Sequence, residues 1–308
     1  MVGALVNNKV VRLLRWLNYL RINKFRRDTW YFIFNYGIGD TYLACAFLPY
    51  LLERGDKVTV FLTKPSQEFI PKLFSPDINV VLGQPLELAL IEEFGQYGKG
   101  HPIILHPMHV VNRILINILG YKKFNLTDLY KIMLGLDLRL PPVSPQFAHD
   151  PAVEAEVDGL FKQYNLPVSK TVLICPKAVT IKEVADGFWQ ELADKLASQG
   201  LVPVFMNSAA GLPTYPTVEF SLRAARAFCD RAGQVVSLRS GFCDLGATTN
   251  ARMAILYPNL KWLEDPLLVS TGLVIMDISD EHNLLEITHD FETDSTQVYH
   301  TLSQFFHE

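Results

Sequence analysis

Val235 to Pro258, VVSLRSGFCDLGATTNARMAILYP, reads as a strand, a tight polar turn, a short helix and a second strand. Val235 and Val236 end a buried strand, and Ser237-Leu238-Arg239-Ser240-Gly241 form the turn. Phe242 to Thr249 is the predicted helix and Met253 to Tyr257 the next strand. Such a turn gathers backbone N–H groups, two hydroxyls and an arginine at the positive end of a helix, a setting suited to a phosphate or pyrophosphate. A nucleotide-type ligand is therefore the first expectation for this half of the chain.

Working outward, strands alternate with helical patterns over most of the 308 residues, which predicts parallel sheets covered on both faces. In the first half, strands are predicted at Trp30 to Asn35, Lys57 to Leu62, Ile78 to Leu82 and Pro102 to Leu105. An apolar helical stretch runs to Arg54, with a kink at Pro49. Residues 137 to 151, DLRLPPVSPQFAHDP, carry four prolines and no periodicity, and form the predicted linker. The alternation then restarts, with helices at Val153 to Tyr164 and Phe188 to Ser198 and strands at Thr171 to Cys175 and Val202 to Met206. Ser221 is suited to cap a helix running to Ala232. Leu273 to Asp277 is a further strand candidate, and Ser295 to Phe306 a final helix. The organisation expected is a basic amphipathic segment (1–28), an N-terminal α/β domain (29–145) and a C-terminal α/β domain (146–308).

Composition narrows the function. Half of the residues are hydrophobic and the formal net charge is -4, which excludes the basic footprint of a nucleic-acid-binding protein. The cysteines, Cys45, Cys175, Cys229 and Cys243, are dispersed in apolar settings without a CxxC pair, as in a reducing compartment. No apolar run approaches the roughly 20 residues of a membrane span, and the first residues lack a signal-peptide pattern, so cytoplasmic residence is the expectation. Seven basic residues (Lys9, Arg12, Arg15, Arg21, Lys24, Arg26, Arg27) precede the first acid, Asp28. Val10, Leu13, Leu14, Leu17 and Leu20 share one face of a helix there. Two readings stand: a helix lying on an anionic membrane surface, or one packed on its own domain with a solvated basic edge.

Gly37-Ile38-Gly39-Asp40 directly follows the first strand. The glycines suit a tight turn and a close ligand approach, and Asp40 sits at the carboxyl end of a strand, where open α/β sheets place their sites. A carboxylate there can take a proton from an attacking hydroxyl, or it can cap the following helix. Lys177 and Lys182 follow the first strand of the second half and can neutralise a phosphate, or be solvated loop lysines. Asn207-Ser208 is placed to touch a base or ribose. His106 and His109, in LHPMHVVNR, have metal-like spacing without further ligands nearby; His106 is a candidate base or substrate contact, or a structural histidine. There is no DxD pair, no GxxxxGK[ST] and no GxSxG, which argues against a metal-clamped nucleotide, a P-loop ATPase and an α/β hydrolase.

With these elements in place, the chain resembles the GT-B glycosyltransferases, and within them the heptosyltransferase-like group (ADP-heptose:lipopolysaccharide heptosyltransferases and relatives). The glycine turn ending in Asp40, the segment Pro176 to Trp189 (PKAVTIKEVADGFW) and Ser240 to Gly246 (SGFCDLG) are similar to three elements of that group. The resemblance implies two Rossmann-like domains facing across a cleft, with Asp40 as catalytic base and Lys182 as a phosphate-binding lysine. It implies metal-independent, inverting transfer of a sugar from a nucleotide-diphosphate donor to a hydroxyl of a glycan or lipid-linked acceptor in cell-surface polysaccharide synthesis, with no cofactor. Donor contacts are expected from Lys177, Lys182, Asn207, Ser208, Arg239, Ser240, Gly241, Phe242 and Asp244. The last helix is placed where it can pack back on the first domain. Asp244 replaces the group's usual histidine and Leu238-Arg239 its usual Asn-Asp pair, which points away from ADP-heptose; LRSG also resembles fucosyltransferase-like enzymes. A GT-B nucleotide-sugar epimerase and a non-catalytic glycan-binding scaffold are the alternatives.

Overall fold

The computed structural model describes residues 9–82, 87–110, 125–206, 214–260, 263–266, 271–279, 282–291 and 294–307. The chain divides into two compact units, 1–146 and 147–308, the division falling inside the proline-rich stretch. The basic N-terminal helix belongs to the first unit.

In the first unit, β1 (Thr29–Phe34), β2 (Lys57–Leu62), β3 (Asn79–Leu82) and β4 (Pro102–Ile104) form one sheet in the order β3-β2-β1-β4. Every pairing is parallel. Strands covered on both faces need apolar side chains on both, which is why β1 reads as the unbroken run TWYFIF. The chain returns between strands through helices, two of them at Ile38–Cys45 and Leu48–Glu53. Pro49 does not kink one long helix. It lies in the first turn of the second, where its missing N–H costs nothing.

The second unit holds β5 (Thr171–Cys175), β6 (Val202–Met206), β7 (Thr217–Val218), β8 (Gly233–Leu238) and β9 (Arg252–Tyr257). A small antiparallel ribbon follows, β10 (Asn259–Leu260) with β11 (Leu263–Pro266), and then β12 (Leu284–Thr288). The main sheet runs β12-β9-β8-β5-β6-β7, all parallel. Counted in chain order within that sheet, this is the 3-2-1-4-5-6 arrangement of a dinucleotide-binding fold. Leu273 to Asp277 forms turns instead of a strand, and the sixth strand is LLEIT at 284–288, which the sequence pattern did not single out.

The core of the second unit is built on Trp189, Phe188, Leu192 and Leu196 from the Asp186–Ser198 helix and on Val172, Ile174, Phe205 and Val236 from the sheet. The final helix, Thr296–His307, adds Val298, Tyr299, Leu302 and Phe306 to this same core. Its Tyr299 ring stacks on Phe188, and Arg252 Nη1 donates to Phe305 O at 2.7 Å. The last helix thus contributes its buried face to the core of the second unit.

The N-terminal helix packs on its own unit, one of the two arrangements read from its sequence, but not through its leucine face. It spans Lys9–Asn23, and its buried residues are Trp16 and Tyr19. They enter a cluster with Tyr31, Ile33, Phe61, Leu90, Ile91 and Ile104. Aromatic rings bury more area than leucine and so decide which face turns inward.

Gly233 offers a test of how tightly this frame is set. It ends the Ala225–Ala232 helix with φ 83°, and a Cβ there would lie 2.8 Å from Ser169 Cα. Gly200, φ 84°, has nothing within 4 Å of the same position. Gly200→Ala should cost about 1 kcal/mol from the backbone conformation alone, and Gly233→Ala about 2–4 kcal/mol because backbone must also move. Urea unfolding of the two variants measures the difference, and equal losses would contradict the close approach.

Candidate functional site

In an open parallel sheet, loops on either side of the strand where the order reverses leave toward opposite faces, and ligands bind in the crevice between them. In the first unit that point lies between β1 and β4. Asn35 to Asp40 follow β1, and Leu105 to His109 follow β4, so the topology brings the glycine turn and the histidine pair to one place.

The side chains meet there. His106 Nε2 lies 3.5 Å from Asp40 Oδ1, and Gly37 N–H donates to Asp40 Oδ2 at 3.2 Å. Asp40 is thus oriented from two sides while keeping 29 % of its side chain exposed. Gly37, not Asp40, is the N-cap of the Ile38–Cys45 helix, and Asp40 occupies its first turn, where the helix dipole favours a carboxylate. Asp40 thus completes the capping of this helix from its N3 position while its carboxylate stays partly exposed. Neither Gly37 nor Gly39 uses a positive φ. What Gly37 supplies is room, since a Cβ there would sit 3.3 Å from Asp40 Oδ2.

Behind this pair stands an arrangement invisible in the sequence. Tyr36 stacks on His106 with ring centroids 3.8 Å apart, and its hydroxyl pairs with His109 Nε2. His109 Nδ1 in turn faces Glu92 Oε1 at 3.4 Å. Lys64 Nζ donates to Tyr36 O at 2.8 Å, holding the turn from the β2 side. Asn35 Oδ1 is buried beside the turn without a hydrogen-bond partner among the described residues. Among the described residues no group of three or more His, Cys, Asp or Glu side chains could hold a metal, so the two histidines have aromatic and acidic partners in place of further ligands.

A cavity of about 680 Å³ lies elsewhere in this unit, beside Thr29, Lys57 and Asn79 at the amino ends of the strands. It contains none of the candidate residues. Strand direction is the better guide here than cavity size, because the convergent loops and helix N-termini are at the carboxyl ends.

In the second unit the order reverses between β5 and β8. The loop after β5 carries Lys177 and Lys182, and the turn after β8 carries Arg239 and Ser240. Cys175 and Ser237 are register partners, so these loops start side by side. Lys177 is exposed and Lys182 half-buried, and neither has a hydrogen bond or ion pair among the described residues. Ser240, N-cap of the Gly241–Gly246 helix, makes no side-chain cap bond, and both it and Gly241 are partly accessible. Asn207 and Ser208 lie outside the described residues.

Arg239 is placed differently from its expected role as an open cation. Its Nη1 and Nη2 donate to Asp244 Oδ2 and Oδ1 at 3.0 and 2.8 Å, its Nη1 also to Ser240 O, and its Nε to Thr271 O at 2.9 Å. Arg239 is 7 % exposed and Asp244 wholly buried. Burial alone would lower the guanidinium, yet the adjacent Asp244 carboxylate holds it above its ordinary value. Two of the three residues that depart from the resembled family pattern, Arg239 and Asp244, are therefore each other's partners. They brace the turn, and Phe242, which follows it, is also buried. Close by, burial and the Glu286 carboxylate keep the Tyr257 phenol well above its usual range; its hydroxyl bonds Glu286, which also accepts from Leu273 N–H at 2.8 Å. All four cysteines are buried and unpaired, Cys243 Sγ lying 3.4 Å from Ser237 Oγ.

No protein-family model matches the chain, and no curated protein matches it in sequence. Solved structures do. A family 9 glycosyl transferase from Veillonella parvula superposes with a TM-score of 0.56 at 14% identity, over 91% of each chain. The ADP-heptose LPS heptosyltransferase II of E. coli superposes at 0.55 and 13% identity, over 89% of this chain and 97% of that one. The iron-containing dodecameric glycosyltransferase TibC of enterotoxigenic E. coli reaches 0.52 at 14% identity, over 75% of this chain and 58% of its own. Likeness at these identities is likeness of fold, and it makes this an α/β chain of the GT-B type.

The Arg239–Asp244 pair carries a stability test. Asp244→Asn leaves a buried guanidinium without its counter-charge and should cost about 3–5 kcal/mol. Replacing both residues with apolar side chains of similar volume should recover most of that loss. A double-mutant cycle by chemical denaturation measures both; additive losses would show the pair to be uncoupled.

Proposed function

We propose that the chain is a metal-independent, inverting glycosyltransferase that moves a sugar from a nucleotide-diphosphate donor to a hydroxyl of a glycan or lipid-linked acceptor. The observation that carries this reading is Asp40, half-open at the switch point of the first sheet and held by His106 and the Gly37 N–H. A carboxylate so placed can accept the proton of an attacking hydroxyl as the new glycosidic bond forms. Attack from the face opposite the leaving nucleotide inverts the anomeric carbon. His106, against Asp40, orients the base and stabilises its charge.

The leaving diphosphate needs positive charge in the transition state. Lys177 and Lys182 supply it in this reading, with the N–H groups around Ser240 and Gly241, and Arg239 acts through the turn it braces. Lysines in place of a metal ion are consistent with the absence of a DxD pair. The fold likeness to a family 9 glycosyl transferase and to an ADP-heptose LPS heptosyltransferase supports a nucleotide-sugar donor and a role in cell-surface polysaccharide synthesis. Asp244, engaged with Arg239, leaves a different set of groups for the sugar than the resembled family has, so the donor sugar is taken to differ from heptose.

Thermal-shift measurements with UDP, GDP, ADP, CMP and TDP test the donor half. A ligand at about 100 times its Kd adds about 2.7 kcal/mol. One nucleotide should stabilise the protein, and Lys182→Ala should weaken that binding by about 1–3 kcal/mol. With that donor, Asp40→Asn should abolish transfer while leaving nucleotide affinity intact. Full transfer by Asp40→Asn would remove the base assignment, and no affinity for any nucleotide would remove the enzyme reading.

A further inference from the structure

Among the described residues the N-terminal helix is held to the first unit through the face that carries Trp16 and Tyr19. Trp16 and Tyr19 are buried beneath it, and Arg12 and Arg15 reach Glu93 and Glu87 at 2.5 and 2.8 Å. The opposite face carries Val10, Leu14 and Leu17, more than half exposed at 62, 61 and 53%, with Leu13 beside them at 42%. Positions 10, 14, 17 and 21 follow one line along a helix, so the four apolar side chains form a continuous stripe ending at Arg21. The helix contains no acidic residue. Lys9, Arg21 and Lys24 are exposed and have no ion pair among the described residues.

We propose that this outward face docks on an anionic lipid surface, with the helix lying in the interfacial plane. Four aliphatic side chains enter the boundary between headgroups and acyl chains, and Lys9, Arg21 and Lys24 meet the lipid phosphates. At about 22 Å the helix lies along the surface, and no helix among the described residues is long and apolar enough to cross a membrane. Charge decides between lipid and a second copy of the chain. A symmetric contact through this face would bring Lys9, Arg21 and Lys24 against their own copies, with no acid on the helix to offset them. An anionic membrane supplies the missing negative charge, and each cation adds to the attraction. The two sets of basic residues thus have separate duties: Arg12 and Arg15 hold the helix to the protein, the others face the lipid. This proposal goes beyond the transferase reading and does not depend on it.

Co-sedimentation of the full chain with lipid vesicles tests it. Vesicles of phosphatidylcholine with about one third phosphatidylglycerol should bind at least about tenfold more tightly than phosphatidylcholine alone, and added salt should reduce the difference. Leu14→Ser with Leu17→Ser should lower binding to the anionic vesicles by about tenfold or more, at an unchanged thermal midpoint because both sites are exposed. Lys9→Glu with Arg21→Glu should abolish the preference for anionic lipid. Equal binding to both vesicles, or binding unaffected by the leucine substitutions, would overturn the proposal. So would a dimer on size-exclusion chromatography that the leucine substitutions dissociate, in a protein that ignores vesicles.

Discussion

Parallel pairing is the constraint on which the rest of this molecule depends. Every pairing in the four- and six-stranded sheets is parallel, so each strand must be followed by a crossover that returns the chain to the same edge. That requirement puts helices over the sheets, buries both faces, and demands strands apolar on both sides. It also decides where chemistry can occur. Only where the strand order reverses do two successive loops part and leave an opening, and that point is β1/β4 in one unit and β5/β8 in the other. Asp40 and His106 are 66 positions apart in sequence, yet topology alone brings their loops together.

At the second switch point, burial separates two jobs that a sequence reading merges. A guanidinium bonded to a carboxylate and two carbonyls in the interior cannot also be a mobile phosphate ligand without withdrawing its charge from the buried Asp244 carboxylate. Arg239 therefore gives rigidity to the end of β8. In the proposed reading, charge for a ligand comes instead from Lys177 and Lys182, compact point charges on a loop with freely turning donors. A rigid frame beside a cation-bearing loop suits a ligand whose phosphates shift between a bound and a departing state.

Much of the fold was legible in the sequence because parallel strands announce themselves as short apolar runs between turn residues; TWYFIF, KVTVFL and TVLIC are of this kind. Edge strands are less apolar, which is why LLEIT, partly exposed along most of its length, carries a weaker strand signal than the apolar turn segment Leu273 to Asp277. In the site, residues close in sequence were legible: Gly37 with Asp40, and the turn after β8. Partners far apart were not. Nothing local in Tyr36 points to His109, 73 positions away, or in His109 to Glu92. Arg239 and Asp244 are only five residues apart, but periodicity does not report burial, and burial turned a candidate ligand into a brace.

The N-terminal helix shows the limit of periodicity as a guide to which face is inside. Its leucines define the apolar line, but Trp16 and Tyr19 cover more area and fit the aromatic cluster of Phe25, Tyr31 and Phe61. Two apolar faces cannot both be buried against one domain. The inward face needs only its aromatics and the two ion pairs to be held, so folding makes no demand for aliphatic side chains at Val10, Leu13, Leu14 and Leu17. Single exposed leucines are ordinary on any protein surface. A contiguous stripe of four, bordered by cations and containing no acid, is not, and a surface of that composition is matched by an apolar layer beneath a sheet of negative charge.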